Sequence, residues 1–205
     1  MIGIVDYGVG NLFSLRSSFA ALGEEAKICK TAEELSFADK IILPGVGAFG
    51  DAIKKLKGSG LADAIKIEVE KGKALLGICL GMQLLFDDSY EYGYHKGLGL
   101  IKGSVKPLSD YIPSDLKIPQ IGWNSLKIKE NPLFKYIKNG DYVYFVHSYC
   151  AVECDKVIAT TEYGADVTAA VADKNVFGCQ FHPEKSGDVG LKILKAFSES
   201  EVGLC

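Results

Sequence analysis

Cys79 stands between Gly77 and Gly81, and far along the chain His182-Pro183-Glu184 offers a base and an acid. The run Lys73-Ala74-Leu75-Leu76 before the cysteine is too short for a helix and is bounded by Gly72, whereas Met82-Gln83-Leu84-Leu85-Phe86 after it reads as helical. The expectation is a strand, a sharp turn and a helix. Small residues around a nucleophile let its backbone take a strained conformation that holds the side chain clear of the sheet. The same turn puts a thiol at a helix N-terminus, where free N–H groups and the helix dipole favour thiolate, and a thiolate attacks carbonyls. His182 ends the apolar run Val176 to Phe181. Residues two apart on an extended chain point the same way, so Glu184 bears on the same region as His182.

The other reactive residue types read more blandly. Cys29 and Cys179 sit in apolar runs, as buried filler does. Cys150 and Cys154 have metal-like spacing, but no second Cys/His pair lies near them in sequence, so no metal is expected. His95 falls in a polar loop and reads as solvated; His147, in Tyr144-Phe145-Val146-His147-Ser148-Tyr149, reads on its own as structural. Gly45-Val46-Gly47-Ala48-Phe49-Gly50 matches a dinucleotide fingerprint in form. However, Pro44 interrupts the strand exit and the acids at about the required distance, Glu68 and Glu70, fall inside a helical pattern. Gly8-Val9-Gly10-Asn11 has Phe13 in place of a third glycine, and no Lys-Ser/Thr follows. No cofactor is expected. Gly45-Val46-Gly47 is better used as a backbone wall whose N–H groups approach a substrate oxygen.

These residues need a frame. With 205 residues, 48% hydrophobic and 24% charged, the chain can bury one sizeable core. A single domain over residues 1–198 is expected, with a frayed tail over 199–205. The net charge of −3 comes without a basic block, which argues against nucleic acid and anionic membrane as partners. Met1-Ile2-Gly3-Ile4-Val5 goes straight into a strand and no apolar run approaches the roughly 20 residues of a membrane span, so a cytoplasmic protein with six reduced cysteines is expected. Strands are expected at Ile2–Val5, Ala26–Cys29 and Lys40–Leu43, and helices over Asn11 to Leu22, Asp51 to Lys57 and Leu61 to Lys71. From residue 97 the pattern turns to successive strands: Leu98–Val105, Gln120–Ile128, Tyr142–Tyr149, Val157–Thr161, Val167–Ala172 and Val176–Phe181. A last helix follows from Ser186 to Phe197. This is a three-layer α/β fold, a mostly parallel sheet with helices on both faces and antiparallel strand additions.

Read together, Gly77-Ile78-Cys79-Leu80-Gly81-Met82-Gln83 and Gln180-Phe181-His182-Pro183-Glu184 resemble the class I (triad) glutamine amidotransferases. Within them the resemblance is closest to the glutaminase subunits of imidazole glycerol phosphate synthases, of histidine biosynthesis. Supporting stretches include Asp6-Tyr7-Gly8-Val9-Gly10-Asn11-Leu12, Leu43-Pro44-Gly45-Val46-Gly47, Ile121-Gly122-Trp123-Asn124 and the His147 strand. They run in the expected order along nearly the whole chain. The resemblance implies a flavodoxin-like sheet, L-glutamine as substrate, and a triad in which Cys79 attacks the side-chain amide, His182 moves the proton and Glu184 orients the imidazole. It implies oxyanion donors at Leu80 and Gly45-Val46-Gly47, and puts Gln83, His147, Ser148 and Tyr149 around the glutamine. It also implies a heterodimer with a (β/α)8-barrel cyclase subunit faced by Asn11, Trp123, Asn124, Tyr144 and Lys185, and low activity until that partner binds its own substrate. Two positions depart from the pattern: Gln120 stands where histidine is expected, and Cys150 replaces a larger residue. They open a second reading, a paralogue feeding ammonia to the amidination of a bacterial surface sugar. A non-catalytic binding scaffold and another cysteine hydrolase are the remaining alternatives.

Overall fold

Ile2-Gly3-Ile4-Val5 is buried along its whole length, as a strand covered on both faces must be. In the computed structural model, which describes residues 1–200, it forms β1 (Ile2–Val5). Helix α1 (Leu12–Ala21) carries the chain over to β2 (Ala26–Cys29). A five-residue α2 (Ala32–Ser36) follows, closed by a capping box in which Thr31 and Glu34 serve each other's backbone N–H. Then come β3 (Lys40–Leu43), α3 (Phe49–Gly58), α4 (Leu61–Glu70), β4 (Ala74–Ile78) and the one-turn α5 (Leu80–Gln83). The second half contains β5 (Asp88–Ser89), β6 (His95–Lys96), β7 (Ser104–Pro107), β8 (Gln120–Ile128), β9 (Tyr142–His147) and β10 (Tyr149–Val152). It ends with β11 (Val157–Glu162), β12 (Asp166–Asp173), β13 (Val176–Cys179) and α6 (Gly187–Glu199).

Nine strands form the main sheet in the order β2-β1-β3-β4-β13-β12-β11-β8-β9. The half from β2 to β13 is parallel, and β12 onward is antiparallel. Side chains alternate across it: Leu75 joins the core beneath α2, α3 and α4, whereas Ala74, Leu76 and Ile78 join Leu15 and Phe19 of α1 and Ile193, Leu194 and Phe197 of α6. The expected three layers are therefore present. Among the described residues no helix is long and apolar enough to cross a membrane.

Several expectations are corrected. The helix after Cys79 ends at Gln83, not Phe86, because the next carbonyls are taken by a loop: Leu98 N–H donates to Leu84 O, Leu100 and Ile101 to Leu85 O, and Gly99 to Phe86 O. For the same reason residues 98–103 are not strand, and only β7 remains of that run. The Tyr142–Tyr149 run breaks at Ser148, and β10 leaves for a second, four-stranded sheet, β10-β7-β5-β6, which was not expected. The last strand, β13, is antiparallel to β12, as expected, but parallel to β4 on its other side, and so joins the two halves of the sheet. Helix α6 continues to Glu199, past the expected domain limit. Of the expected tail, residues 201–205 lie outside the described residues. His95 is not in a free loop: it belongs to β6, its ring lies 6.2 Å from Phe49, and it bonds the Glu91 carbonyl at 3.1 Å.

Candidate active site

The turn between β4 and α5 holds Cys79 at φ 55 and ψ −114, left-handed backbone that a side chain adopts at a cost of about 1–3 kcal/mol. Its N–H donates to the Cys179 carbonyl at 2.7 Å, so the main sheet pins the strained residue. The flanking glycines are required by close approach. A Cβ on Gly81 would lie 1.8 Å from Leu43 O, and one on Gly77 would lie 2.6 Å from Gly81 O. The helix beyond is a single turn, so its dipole is smaller than the sequence suggested. The charged group facing the thiol is His182.

Strand β13 stops at Cys179, short of the expected Phe181; His182 follows with its N–H on Tyr144 O, and residues Pro183–Lys185 then form a 3₁₀ turn. That turn, not an extended dipeptide, curls Glu184 back so that Oε1 meets His182 Nδ1 at 2.8 Å, with the two side chains only 3% and 2% exposed. Ser186 ties the turn down, its Oγ donating to His182 O at 2.6 Å and accepting Tyr144 N–H at 2.9 Å. Burial pushes the His182 imidazole down, but its bonds and charge contacts to Cys79 and Glu184 outweigh this and carry it up to about 9. At neutral pH His182 is therefore an imidazolium between a sulfur and a carboxylate.

A cavity of about 620 Å³ opens over Cys79 and His182, lined also by Val46, Gly47, Leu80, Gln83, His147, Ser148, Tyr149 and Lys185. Gly45 lies beneath this wall: a Cβ there would meet Gly81 N at 2.7 Å and Tyr7 Oη at 2.9 Å. Tyr7, buried, donates its hydroxyl to Pro44 O at 2.8 Å and so fixes the peptide that leads into Gly45-Val46-Gly47. Gln83 donates to Tyr149 O at 3.2 Å and to Gln180 Oε1 at 2.9 Å. His147 bonds Tyr149 O through Nδ1 at 2.9 Å. Burial pushes its pKa down to about 4, the carbonyl bond opposing and His182 adding, so the ring is neutral.

Of the expected partner-facing residues, only Lys185 lines the cavity. Its Nζ lies 5.8 Å from the Tyr144 ring centre, and Tyr144 meets half-exposed Trp123 edge-on at 6.0 Å, so these three form one cluster beside the mouth. Asn124 bonds Gln120 at 3.1 Å and Glu162 O at 3.4 Å, and Asn11 caps α1 by accepting Ser14 N–H at 3.4 Å. Neither joins the cluster by a direct bond. Among the described residues no group of three or more His, Cys, Asp or Glu side chains could hold a metal.

Residues 3–199 match the family model described as glutamine amidotransferase class-I. The chain belongs to this family. It is 55% identical to the imidazole glycerol phosphate synthase subunit HisH of Caldanaerobacter subterraneus subsp. tengcongensis, over 97% of this chain and 98% of that protein. It is 48% identical to the protein of the same name from Aquifex aeolicus, over 95% and 94%. The fold matches a crystal structure of a glutamine amidotransferase with a TM-score of 0.75 at 22% identity, covering 96% of this chain and 98% of that one. It also matches a structure of PurLQS from Thermotoga maritima with a TM-score of 0.74 at 24% identity, covering 96% of each.

In this amidotransferase two polar residues at the site escape sequence reasoning. Gln180, fully buried, places Nε2 3.7 Å from Cys79 Sγ while its oxygen receives Gln83, so one amide links the Cys79 sulfur and the cavity wall. It stands at the head of the motif Gln180-Phe181-His182-Pro183-Glu184, as a polar residue inside an apolar run, but that place alone assigns it no role. Glu91 lines the cavity and accepts Phe49 N–H at 2.6 Å. Burial raises its pKa, against the Phe49 N–H and His95. Set in Ser89-Tyr90-Glu91-Tyr92-Gly93-Tyr94, it looks like any solvated turn acid.

Proposed function

We propose that this chain is the glutaminase subunit of an imidazole glycerol phosphate synthase, hydrolysing L-glutamine to glutamate and passing the ammonia to a cyclase subunit of histidine biosynthesis. The observation that carries the reading is the continuous Cys79–His182–Glu184 system at the floor of a cavity with converging polar groups. The Cys79 sulfur, whose proton His182 has taken, attacks the side-chain amide carbon, forming a C–S bond. His182, already protonated, gives its proton to the leaving nitrogen, and the C–N bond breaks to free ammonia. Water then attacks the γ-glutamyl thioester, His182 taking its proton, and the C–S bond breaks to free glutamate and return the Cys79 sulfur beside the protonated His182. Glu184 holds the imidazole in one tautomer. Backbone N–H groups of Leu80 and of Gly45-Val46-Gly47 are the donors for the oxyanion, each worth roughly 3–4 kcal/mol at comparable sites. Gln83, His147, Ser148 and Tyr149 frame the rest of the substrate, and the buried Glu91 carboxylate supplies the anion for its α-ammonium group.

Ammonia released to neutral water would be protonated and lost as a nucleophile, which favours a synthase docked over the cavity. The exposed Trp123, with Tyr144 and Lys185, supports a partner face there, and a (β/α)8-barrel cyclase in a heterodimer is the partner the resemblance implies. The relatives named above disfavour the surface-sugar reading drawn from Gln120 and Cys150. A complete triad disfavours a silent scaffold. The test is glutamate release by wild type and Cys79→Ser, with and without the cyclase subunit and its ligand. Release by wild type that rises with the partner, and none from Cys79→Ser, is expected; indifference to glutamine in every condition would sink the reading.

A further inference from the structure

Gln120 and His147 are register partners across β8 and β9. Their side chains therefore leave the same face of the sheet, with Cβ atoms about 5 Å apart. Both are buried. Their hydrogen-bonding directions are set from outside the pair. Glu162 O accepts Asn124 Nδ2, which leaves Asn124 Oδ1 to accept Gln120 Nε2 at 3.1 Å, so Gln120 Oε1 is left over. Tyr149 O accepts the His147 Nδ1 proton, and in the neutral ring Nε2 then carries only a lone pair.

Gln120 Oε1 and His147 Nε2 are both buried without a hydrogen-bond partner. Two acceptors cannot serve each other, and buried polar atoms are as a rule satisfied. A small neutral molecule with at least two N–H or O–H donors fits the pair. We propose that His147 Nε2 and Gln120 Oε1 form a holding site for the ammonia released at Cys79. The inference rests on the ammonia-supplying reading above. His147 lines the cavity together with Cys79 and His182, whereas Gln120 stands behind it, outside the cavity lining, and is bonded to Asn124. The pair thus lies on the buried face of β8 and β9, opposite the face that carries Trp123 and Tyr144, and borders the reacting thiol's cavity at His147. Its chemistry suits the cargo: ammonia offers three donors, and a neutral imidazole nitrogen and a primary amide oxygen accept them without supplying an acidic proton. The acid of the site, His182, is engaged by Cys79 and Glu184 instead.

Water has the same donor chemistry, so the experiment must separate the two. The complex of this chain with the cyclase subunit would be fed glutamine carrying ¹⁵N in its side-chain amide, and the ratio of ¹⁵N in the imidazole product to free ¹⁵N-ammonium measured. Because a ratio is read, a change in the rate of glutamate release does not enter. Gln120→Leu, or Gln120→Met if the first does not fold, should lower the ratio about fivefold, the effect commanded by one lost hydrogen bond. Gln120→His, which restores an acceptor, should recover most of it. An unchanged ratio in the apolar variant would mean that water alone fills the site and would overturn the proposal. So would a high-resolution structure of the complex with no density within hydrogen-bond reach of both atoms. If wild type releases glutamate in the complex yet passes no labelled nitrogen to product, the functional reading itself fails.

Discussion

Glu184 reaches His182 through one carboxylate oxygen at 2.8 Å, while its other oxygen is buried without a partner. An acid so placed acts on the imidazole by charge as well as by direction. Glu184→Gln keeps an oxygen that can accept Nδ1–H but removes the charge that helps raise His182. Loss of glutaminase kcat by about 10²–10⁴-fold is expected, as for comparable triad acids. The alkaline limb of kcat/KM should also move from about 9 toward the ordinary histidine range. A pH–rate profile decides: a lower kcat with an unmoved limb would reduce Glu184 to a spacer. The two buried histidines also tie stability to pH in opposite senses. His182 is raised from 6.5 to about 9, so its contribution is full below 6.5 and is lost as pH rises through about 9. His147 is lowered from 6.5 to about 4, so its contribution is full above 6.5 and is lost as pH falls through about 4. Thermal unfolding across pH should show the combined contribution of the pair greatest near 6.5 and falling on both sides. A His147→Asn variant that kept the acid-side fall unchanged would count against that assignment.

The elbow depends on two backbones meeting. Gly81→Ala would push a Cβ to 1.8 Å from the Leu43 carbonyl, and because both partners are backbone, neither yields by a rotamer change. Destabilisation of more than about 2 kcal/mol is expected, read as a lower denaturation midpoint with unchanged slope. Tyr7→Phe tests the neighbouring strand: it strips the Pro44 carbonyl of its partner, costing about 1–3 kcal/mol. It should also lower kcat more than it raises KM, because the peptide leading into Gly45-Val46-Gly47 loses its anchor. A variant that only melts earlier would make Tyr7 a core residue and nothing more. At this scale the sequence was legible where pattern and burial coincide. Strands β1 to β4 and helices α3 and α4 stand close to where their periodicity puts them. It was not legible where long-range backbone bonds decide. The stop of α5 at Gln83 and the loss of a strand over 98–103 come from the same exchange of N–H and C=O groups, and two-residue β5 and β6 carry no pattern of their own. That Cys79, His182 and Glu184 should come together was readable from residue types, yet the His182–Glu184 contact depends on a 3₁₀ turn at Pro183, where an extended chain was expected. Gln180 was visible only as the first residue of the His182 motif, and Glu91 had no signal beyond being polar.

Across the whole molecule, the surface around the cavity mouth is where apolar groups are left in water. Val46 and Ile118 line the cavity yet are 43% and 41% exposed, and on β8 Ile121 and Trp123 are 61% and 51% exposed. The Trp123 ring is already braced edge-on by Tyr144, over which Lys185 lies, so little rotamer freedom remains to be lost on docking. A large, half-buried aromatic held in this way, with a cation beside it, has the make-up of an interface hot spot. Trp123→Ala is therefore expected to weaken binding of the cyclase subunit by about 2 kcal/mol or more, roughly a thirtyfold rise in Kd, through faster dissociation. The partner-free glutamate release should be unaffected, because Trp123 touches neither the triad nor the cavity. Titration of the labelled cyclase subunit with wild type and variant measures the first quantity, and a glutaminase assay of the isolated chain the second. Equal affinities would move the docking face away from this cluster, and a loss of basal activity would mean that β8 supports the catalytic wall itself.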